Sequence, residues 1–481
     1  MQMNSSDLSF AQIQALTEGT WAVAPPNPNE TLWGAGFDTR KLHEEQIFFA
    51  LSLGGGDGHA YLHHLKGSKV RLAIIERPVP PVAGIAYLQV SDSLKALHQI
   101  AHWKAQSFQG KIIALTGSCG KTTTKTWMLH LLSAQYSVQA NPGSFNNHIG
   151  CPITLLSLKP QTEILILEMG TSGTGELELL SRIAPADVTL LLNVGHAHLG
   201  KFGSPEALLE AKMEIFLHQR LGARSVIPSF DRRVASKMAG DYLTYGPNTA
   251  FRWESLGQDG NQGTQKLRLF SPKGAEEVEV PHLGAYVPEL LSAILAVFYA
   301  LGIELKNLPQ RVATLPQEKG RSTLLSGTKG ERVLDDSYNA NPESLVNMMT
   351  TLTQLEGDCF VACVGNLAEM DENLLLSGEV IINGIPRGLT HLLMCGSTAQ
   401  SLSPLIQSIH PSLNVQTFDE PLAMLEALEP LRKPGTNIGV KGSRSAHMER
   451  LVLALTGALV RCPLERCGLL QNCSTCPKLG G

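Results

Sequence analysis

Short apolar runs and longer amphipathic stretches alternate along most of the chain. Apolar runs of this length predict buried strands, and the mixed stretches between them predict helices. The predicted strands are Ile47–Leu51, Leu72–Ile75, Ala86–Val90, Ile112–Leu115, Ile164–Leu167, Val188–Leu192, Arg332–Leu334, Phe360–Val364, His391–Met394 and Asn437–Val440. The predicted helices are Asp92–Gln106, Thr122–Ala134 and Pro205–Leu217, with others starting near Pro342, Ala399, Glu420 and Ser445. This alternation indicates α/β folding around parallel sheets that are covered on both faces.

The length of 481 residues and the spacing of these runs predict three α/β domains and a tail. Residues 1–109 are expected to form a small mixed α/β domain that binds a substrate. Residues 110–320 are expected to form a central P-loop ATPase-like domain with a parallel sheet. Residues 321–457 predict a Rossmann-like domain, and residues 458–481 form a cysteine-rich tail.

Composition narrows the class of protein. Hydrophobic residues make up 43% and charged residues 17%, which is an ordinary globular mix. With 39 Lys and Arg against 43 Asp and Glu, the net charge is −4, so neither a nucleic-acid partner nor an anionic membrane is expected. The chain shows no apolar run of spanning length and no secretory signal. The nine cysteines are an odd number. We therefore expect a reduced, cytoplasmic protein, and a monomer.

The segment Thr116–Lys125 has the residues of a phosphate-binding loop. It follows a predicted strand, contains Gly117 and Gly120, and opens a predicted helix, so its N–H groups can point at phosphate oxygens. Lys121 would reach the β- and γ-phosphates, and the Thr122 hydroxyl would suit Mg²⁺. The strict P-loop template is not met, because Leu115 stands where its first glycine belongs. The alternative is a glycine turn with a solvated lysine.

Three further groups lie at or near predicted strand ends. Glu168 ends one strand and His198 follows another, where ligands gather in open parallel sheets. Together they could hold a second Mg²⁺. Taken alone, Glu168 could be an exposed carboxylate and His198 a surface histidine, with His196 as a rival. Lys212, on a predicted helix, would ordinarily be a solvated lysine.

Ten short stretches, spread in order along the chain, resemble the Mur ligases, the ATP-dependent amide-forming enzymes of peptidoglycan precursor synthesis, and among them the branch that adds D-alanyl-D-alanine. Thr116–Thr122 is similar to the shortened phosphate loop of that family. The remaining segments that carry the resemblance are Phe37–Arg40, Phe48–Leu51, Asp57–His59, Gly143–Pro152, Ala197–Leu199, Phe202–Ser204, Ala211–Phe216, Asp335–Ser344 and Val440–Ser445. Asp335–Ser344 is the most specific of them.

The resemblance implies roles for individual residues. The catalytic residues would be Lys121, His198 and Lys212, the last in carbamylated form. ATP would be bound by Gly117, Ser118, Cys119, Gly120, Lys121, Thr122, Thr123, Arg321, Asp336, Asn339 and Asn341. The other substrates would be bound by Asp38, Thr39, Arg40, Asp57, Gly58, His59, Asn146, Asn147, Lys441, Ser443 and Arg444. Mg²⁺ would be held by Thr122, Glu168 and His198.

The implied reaction joins D-alanyl-D-alanine to a UDP-N-acetylmuramoyl-tripeptide through an acyl phosphate, with ATP converted to ADP and phosphate. Two alternatives stay open. One is a ligase of the same fold that joins a different carboxylate and amine. The other is a nucleotide-binding or scaffold protein without catalysis, which the retention of Lys121, Glu168, His198 and Lys212 opposes.

Two features depart from the family. The usual adenine-contacting His-Asn segment is replaced by His282–Leu290, in which Tyr286 could stack on the base instead.

The tail carries four cysteines, which could bind Zn²⁺ or an iron–sulfur cluster or belong to a poorly ordered extension. They are Cys462, Cys467, Cys473 and Cys476.

Overall fold

A computed structural model describes residues 8–195, 202–367 and 374–462, together with Cys467, Cys473 and Cys476. The chain forms two compact units, each assembled from separate stretches of sequence. The first unit takes residues up to 116, 132–191 and 211–225, and the second takes residues 117–131, 192–210 and 226 onward. Among the described helices, none is long and apolar enough to cross a membrane.

The described strands are short in the N-terminal part and longer afterwards. They are β1 (Leu8–Ser9), β2 (Thr20–Val23), β3 (Thr31–Leu32), β4 (Ala35–Gly36), β5 (Ile47–Phe49), β6 (Ser52–Leu53), β7 (Gly56–Asp57), β8 (Leu72–Ile75), β9 (Ala86–Gln89), β10 (Lys111–Thr116), β11 (Val138–Ala140), β12 (Ile164–Glu168), β13 (Ala186–Leu191), β14 (Gln219–Pro228), β15 (Tyr242–Tyr245), β16 (Trp253–Asp259), β17 (Thr264–Ser271), β18 (Gly274–Val280), β19 (Thr323–Ser326), β20 (Arg332–Asp336), β21 (Cys359–Val364), β22 (His391–Cys395), β23 (Asn414–Phe418) and β24 (Thr436–Lys441).

The described helices separate most of these strands. They are α1 (Phe10–Thr17), α2 (Ser93–Ser107), α3 (Lys121–Ser133), α4 (Gly150–Leu156), α5 (Glu176–Ile183), α6 (Pro205–Met213), α7 (Arg232–Lys237), α8 (Tyr286–Ala300), α9 (Leu308–Val312), α10 (Pro342–Thr353), α11 (Leu374–Asn383), α12 (Ser397–Ile409), α13 (Met424–Leu428) and α14 (Glu449–Leu455). Short 3-10 helices cover Thr39–Lys41, Gly58–Leu65, Glu214–Phe216, Pro421–Ala423, Glu429–Leu431 and Arg444–Ala446.

The first unit begins with a five-stranded sheet of order β2-β9-β8-β5-β4. Its strands are parallel except for β2, which pairs antiparallel with β9. Ile47 and Phe49 pack into one core together with α1 and α2, whereas Phe48 packs into a second core with Leu62 and Tyr87. Because successive side chains point to opposite faces, burial on both faces explains the uninterrupted apolar run of β5.

The first unit also contains the parallel strands β11, β12, β10 and β13, adjacent in that order. Leu115 of β10 lies opposite Glu168 on one side and opposite Leu190 on the other. These strands therefore end at the same edge, and their carboxyl ends bring Glu168 to that edge. Strand β14 runs from the first unit into the second.

The second unit contains an antiparallel sheet of β16, β17 and β18 and a six-stranded sheet of order β19-β20-β24-β21-β22-β23. In the larger sheet only β19 is antiparallel to its neighbour. Leu334 and Ala362 face one core, whereas Val333 and Cys363 face another. Helices cover both faces, as expected for a doubly wound domain.

The predicted α/β class with parallel sheets is confirmed. The structure corrects three helix predictions: α6 ends at Met213 and continues as a 3-10 turn, α13 begins at Met424 after a 3-10 turn, and α14 begins at Glu449 rather than near Ser445. The antiparallel sheet β16–β18 was not predicted. The domain boundaries at residues 109, 320 and 457 stay a prediction.

Candidate active site

The phosphate loop, Gly117–Lys121, is held by the segment that follows β13. The N–H of Ser118 donates to the carbonyl of Asn193 over 3.1 Å, and the N–H of Cys119 donates to Asn193 Oδ1 over 2.9 Å. The Ser118 hydroxyl accepts from the N–H of Gly195 over 2.9 Å. The loop is thus fixed in shape by hydrogen bonds with Asn193 and Gly195, which is what a preorganised anion site requires.

Glycine is needed at two positions of the loop. Gly120 has φ +81°, a conformation that side chains rarely adopt, and a Cβ there would lie 2.9 Å from Leu290. A Cβ on Gly117 would lie 2.8 Å from Leu192. Lys121 donates its ammonium hydrogens to the carbonyls of Gly117 and Ser118. Its charge is therefore held over the loop at the start of α3, where partial positive charge also favours phosphate.

Residues from the C-terminal part of the second unit contact this loop. Arg321 Nη2 donates to the Thr122 hydroxyl over 3.2 Å. Cys119 Sγ lies 3.3 Å from Asn341 Oδ1, and burial raises the pKa of its thiol. A buried neutral thiol in contact with an amide is a packing group rather than a nucleophile.

A polar cluster lies at the carboxyl ends of β20 and β24. Lys441 Nζ pairs with the carboxylate of Asp336 and donates to the carbonyl of Asn339 over 2.9 Å. The other Asp336 oxygen accepts from the N–H of Ser322 over 3.1 Å. Lys441 is 2% exposed, so its contacts with Asp336 and Asn339 are made in the protein interior. The predicted ATP-binding residues Asp336 and Asn339 are thereby tied to the predicted substrate residue Lys441.

An aromatic and cationic group adjoins that cluster. The guanidinium of Arg321 lies 4.4 Å from the ring centroid of Tyr338. Burial raises the pKa of Tyr286 to about 12, and Ser322, Asp336 and Arg321 are the groups that act on its hydroxyl. Tyr286 therefore lies beside predicted ATP-binding residues, which agrees with the predicted contact to the base but does not test it.

His282 is a core residue. It is 4% exposed, and its ring centroid lies 4.8 Å from that of Trp127. Burial lowers its pKa to about 4, so the ring is neutral at physiological pH. The histidine of this divergent segment is used for packing.

Glu168, in the first unit, is a buried carboxylate at the end of β12. It is 1% exposed, and its Oε1 accepts from Asn146 Nδ2 over 2.7 Å. Asn141 fixes the Glu168 backbone from both sides, accepting from its N–H and donating to its carbonyl. The reading of Glu168 as an exposed carboxylate is therefore wrong. Asn147 does not contact Glu168 in this way; its Oδ1 accepts from the N–H groups of Ile149 and Gly150.

Lys212, at the end of α6, is 2% exposed. The reading of Lys212 as a solvated helix lysine is therefore wrong as well. Glu214, two residues on, accepts from the N–H groups of Gly175 and Glu178 at the start of α5, over 2.7 and 3.2 Å. A lysine buried to this extent must be paired or chemically modified, because an isolated buried ammonium is costly.

The predicted substrate residues of the N-terminal region form two small polar groups. Asp38 accepts two hydrogen bonds from the Arg40 guanidinium, both of 2.8 Å, which lower the pKa of the carboxyl. Thr39 Oγ1 lies 3.5 Å from His64 Nδ1. These groups lie on the exposed side of the 3-10 turn that starts at Thr39.

His59 is fixed by both of its ring nitrogens. Nδ1 lies 2.7 Å from Asp57 Oδ1, and Nε2 accepts from the N–H of Glu76 over 2.9 Å. Arg77 pairs with Asp57 and holds the pKa of that carboxyl well below its usual range. A Cβ on Gly58 would lie 2.8 Å from the N of Leu51, so the turn requires glycine. His59 thus has a structural role, and Asp57 and Arg77 remain open to a ligand.

Ser443 and Arg444 follow β24. Ser443 is 1% exposed, and its hydroxyl lies 3.1 Å from that of Ser445. Arg444 Nη1 donates to Glu449 Oε1 over 3.3 Å. The guanidinium of Arg444 is also 5.7 Å from the ring of Tyr338, so it approaches the group around Arg321.

The structure brings together the phosphate loop, Arg321, Asn341, Asp336, Asn339 and Lys441 within the second unit. His198 lies outside the described residues. Sequence reasoning missed Asn193, Tyr338 and Arg77. All three follow predicted strands at sheet edges where ligands gather, and Tyr338 also lies in the segment Asp335–Ser344 that carries the resemblance. The roles assigned to all these residues stay predictions.

Comparison with known proteins identifies the family. The Mur ligase middle domain matches residues 115–298, and the Mur ligase glutamate ligase domain matches residues 320–444. The UDP-N-acetylmuramoyl-tripeptide--D-alanyl-D-alanine ligase of Bacillus subtilis (strain 168) is 30% identical over 448 residues, which cover 92% of this chain and 96% of that protein. The chain belongs to the Mur ligase family.

Two solved structures support the same assignment. A crystal structure of MurF from Acinetobacter baumannii superposes with a TM-score of 0.84 at 27% identity, covering 94% of this chain and 99% of the other. A crystal structure of the MurF ligase from Thermotoga maritima in complex with ADP has a TM-score of 0.77 at 26% identity, covering 88% of this chain and 97% of the other. The predicted family is thus confirmed.

Proposed function

We propose that this protein is an ATP-dependent ligase that joins D-alanyl-D-alanine to UDP-N-acetylmuramoyl-tripeptide in peptidoglycan precursor synthesis. The observation that carries the proposal is the contact of Arg321 with Thr122 over 3.2 Å, because it joins the C-terminal part to the residue that follows the phosphate loop, where the resemblance places the triphosphate. The near full-length similarity to the Bacillus subtilis ligase supports the choice of substrates.

The first chemical step activates the tripeptide. A carboxylate oxygen of the substrate attacks the γ-phosphorus of ATP, the bond to the β-phosphate oxygen breaks, and ADP leaves. Lys121 and the N–H groups at the start of α3 would stabilise the negative charge that spreads over the transferring phosphoryl group. The fixed loop conformation means that these donors need little reorganisation during the reaction.

The second step forms the amide bond. The neutral amine of D-alanyl-D-alanine attacks the carbonyl carbon of the acyl phosphate, and the tetrahedral intermediate expels phosphate with the former carboxylate oxygen. The amine loses a proton in the process. The incoming dipeptide would lie near Lys441, Ser443 and Arg444. A cation there can pair with the carboxylate of the dipeptide. Exclusion of water would protect the acyl phosphate from hydrolysis.

The residues present fit Mg²⁺. Glu168 offers a buried carboxylate and Thr122 a hydroxyl at the start of α3, and oxygen atoms of this kind are the ligands that Mg²⁺ prefers. His198 is proposed as a further ligand. When bound, Mg²⁺ would neutralise phosphate charge and polarise the γ-phosphoryl group.

Lys212 is proposed to be carbamylated. Addition of CO₂ to its amine would convert a buried cation into a carboxylate-like group that can hold oxygen-seeking cations. The resemblance to the Mur ligases supports this, and the 2% exposure of Lys212 keeps its amine out of bulk solvent. Incubation with ¹³C-labelled bicarbonate should give a carbamate signal in the carbon spectrum that is absent from Lys212→Ala.

The reaction would take place in the cytoplasm and use only small-molecule substrates. The tail cysteines take no part in this chemistry, and their predicted binding of zinc or an iron–sulfur cluster is a separate proposal.

An omission experiment tests the function. Phosphate release is measured with ATP, Mg²⁺, UDP-N-acetylmuramoyl-tripeptide and D-alanyl-D-alanine, and each is left out in turn. We expect release only when all are present, and its loss in Lys212→Ala. ATP binding without release would favour a ligase for another carboxylate and amine, and absence of ATP binding would favour a scaffold.

A further inference from the structure

Side chains of the cysteine-rich tail meet the segment before α14 at a buried polar cluster. His447 Nδ1 lies 3.5 Å from Cys473 Sγ and 3.5 Å from Glu449 Oε1. Three potential ligand atoms from His447, Glu449 and Cys473 all lie within 4.8 Å of one another. These residues are 4%, 7% and 5% exposed. The three side chains are therefore enclosed by the protein and do not form an exposed surface cluster.

The ring of His447 is oriented as in a metal ligand. Its Nε2 lies 3.2 Å from the carbonyl oxygen of Cys467. A carbonyl can only accept, so Nε2 carries a hydrogen, and Nδ1, which faces Cys473, is the ring nitrogen left to bind a metal. Histidines that bind metals commonly donate their other N–H to a backbone carbonyl in this manner. His447 also has φ +50°, an unusual conformation for a residue with a side chain.

The carboxylate of Glu449 gives a second, independent indication. Its Oε1 accepts from the N–H of Cys473 over 3.2 Å and from Arg444. Its Oε2 is buried and has no hydrogen-bond partner among the residues that the structure describes. A buried carboxylate oxygen without a donor is costly, and a cation beside it would remove that cost.

The other tail cysteines approach the same place. Arg450 directs Nε at Cys473 Sγ over 3.5 Å and Nη2 at Cys462 Sγ over 3.6 Å. The N–H of Cys476 donates to the carbonyl of Cys473 over 3.1 Å, so this Cys-x-x-Cys pair forms a turn. Guanidinium donors next to sulfur are suited to thiolates, whose charge is stabilised by a metal and by hydrogen bonds from outside the coordination shell.

We propose that the tail binds one structural Zn²⁺ ion through Cys473 Sγ and His447 Nδ1, with the thiolates of two of the other three tail cysteines completing a tetrahedral site. The ion would fasten the tail to α14. This inference is independent of the proposed ligase function, because the site shares no residue with the phosphate loop.

The geometry favours zinc over an iron–sulfur cluster. Zn–S bonds of about 2.3 Å and Zn–N bonds of about 2.0 Å at a tetrahedral angle place sulfur and nitrogen about 3.5 Å apart. The observed separation of His447 Nδ1 and Cys473 Sγ is 3.5 Å. Iron–sulfur clusters are held mostly by cysteines, each bound to an iron of the cluster, and a histidine ligand is uncommon.

Metal analysis of the full-length chain tests the proposal. The protein is purified without chelator or affinity metal, and zinc, iron and acid-labile sulfide are measured per chain. We expect about one zinc per chain and no sulfide. Replacement of zinc by Co²⁺ should give the absorption of a tetrahedral site with thiolate ligands. Iron with sulfide, or a chain that takes up no zinc after loading, would overturn the proposal.

Variants test the assigned ligands. Cys473→Ser and His447→Gln should each lower zinc affinity at least tenfold, whereas Cys359→Ser, which changes a cysteine outside the tail, should leave it unchanged. Since the variants could unfold locally, the cobalt spectrum of the unaltered chain gives a second test. A spectrum with four thiolates and no nitrogen ligand would overturn the role of His447. Phosphate release is measured on the same samples, so that a loss of zinc binding can be distinguished from a loss of ligase activity.

Discussion

At the scale of single residues, Lys121 is the group on which phosphate transfer depends most. Its ammonium is held by the carbonyls of Gly117 and Ser118. Lys121→Ala should lower kcat by at least about 100-fold, because it removes a charge aimed at the transferring phosphoryl group. Lys237→Ala, which removes a surface lysine paired with Glu210, is the control and should retain activity. Equal rates in the two variants under steady-state conditions would contradict the assigned role.

Glu289 provides a pH-dependent test of stability. Burial raises its pKa to about 7 in the folded protein, against 4.5 for an ordinary glutamate. Between these values the folded state keeps a proton that the unfolded state releases, so raising the pH through this window destabilises the fold. We expect Glu289→Gln to be more stable than the unaltered protein at pH 8, by at most about 3 kcal/mol, and nearly equal to it at pH 4.5.

Thermal melting of the two proteins across this pH range provides the measurement. A difference in melting temperature that stays constant from pH 4.5 to pH 8 would show that the pKa of Glu289 is the same in the folded and unfolded states, and would contradict the account. Glu279→Gln is a suitable control, because Glu279 lies on the exposed face of β18 and should show no such trend.

Residue types alone predicted the phosphate loop but not the burial of the charged residues. Glu168 and Lys212 each have an ordinary solvated interpretation, and only their exposures of 1% and 2% remove it. His59 is the opposite case. It is a predicted substrate-binding residue, and both of its ring nitrogens contact other groups of the protein. Which side chains a fold buries depends on distant packing, and a single sequence does not carry that information.

At the scale of elements, Asn341 connects helix stability to the candidate site. Its side chain accepts from the N–H of Ser344, and the Ser344 hydroxyl accepts from the N–H of Asn341, which together form a capping box at the start of α10. The same side chain contacts Cys119 in the phosphate loop. Asn341→Ala should lower the free energy of unfolding by about 1 kcal/mol through loss of the cap.

Asn341→Ser separates the two roles. Serine restores the cap but is too short to reproduce the amide contact with Cys119, so stability should recover while KM for ATP stays raised. Denaturant unfolding and steady-state kinetics on the three proteins provide the measurement. Recovery of both quantities in Asn341→Ser would show that the contact with Cys119 has no part in nucleotide binding.

Buried parallel strands were predicted well because burial on both faces makes them continuously apolar, as β5, β8 and β21 show. The sheet β16–β18 was missed because its strands are largely exposed and polar, and β18 begins with four exposed residues. Helix ends were displaced where 3-10 turns intervene, as at Arg444–Ala446 before α14. Such turns depend on local hydrogen bonds that apolar periodicity does not report.

At the scale of the whole molecule, the consecutive domains stay a prediction, and the two compact units are each assembled from separate stretches of sequence. The phosphate loop and residues 192–210 belong to the second unit, although strands on either side of them belong to the first. Sequence order could not reveal this, because it depends on which long-range contacts form. The family resemblance, in contrast, was evident from ordered motifs alone and is confirmed over nearly the full length.

The central claim is that this chain forms an amide bond through an acyl phosphate. The most direct test uses UDP-N-acetylmuramoyl-tripeptide labelled with ¹⁸O in the carboxylate that is joined to the dipeptide. With ATP, Mg²⁺ and D-alanyl-D-alanine, mass spectrometry should find the pentapeptide product and one labelled oxygen in the released phosphate. Product with unlabelled phosphate, or phosphate release without the pentapeptide, would contradict the account.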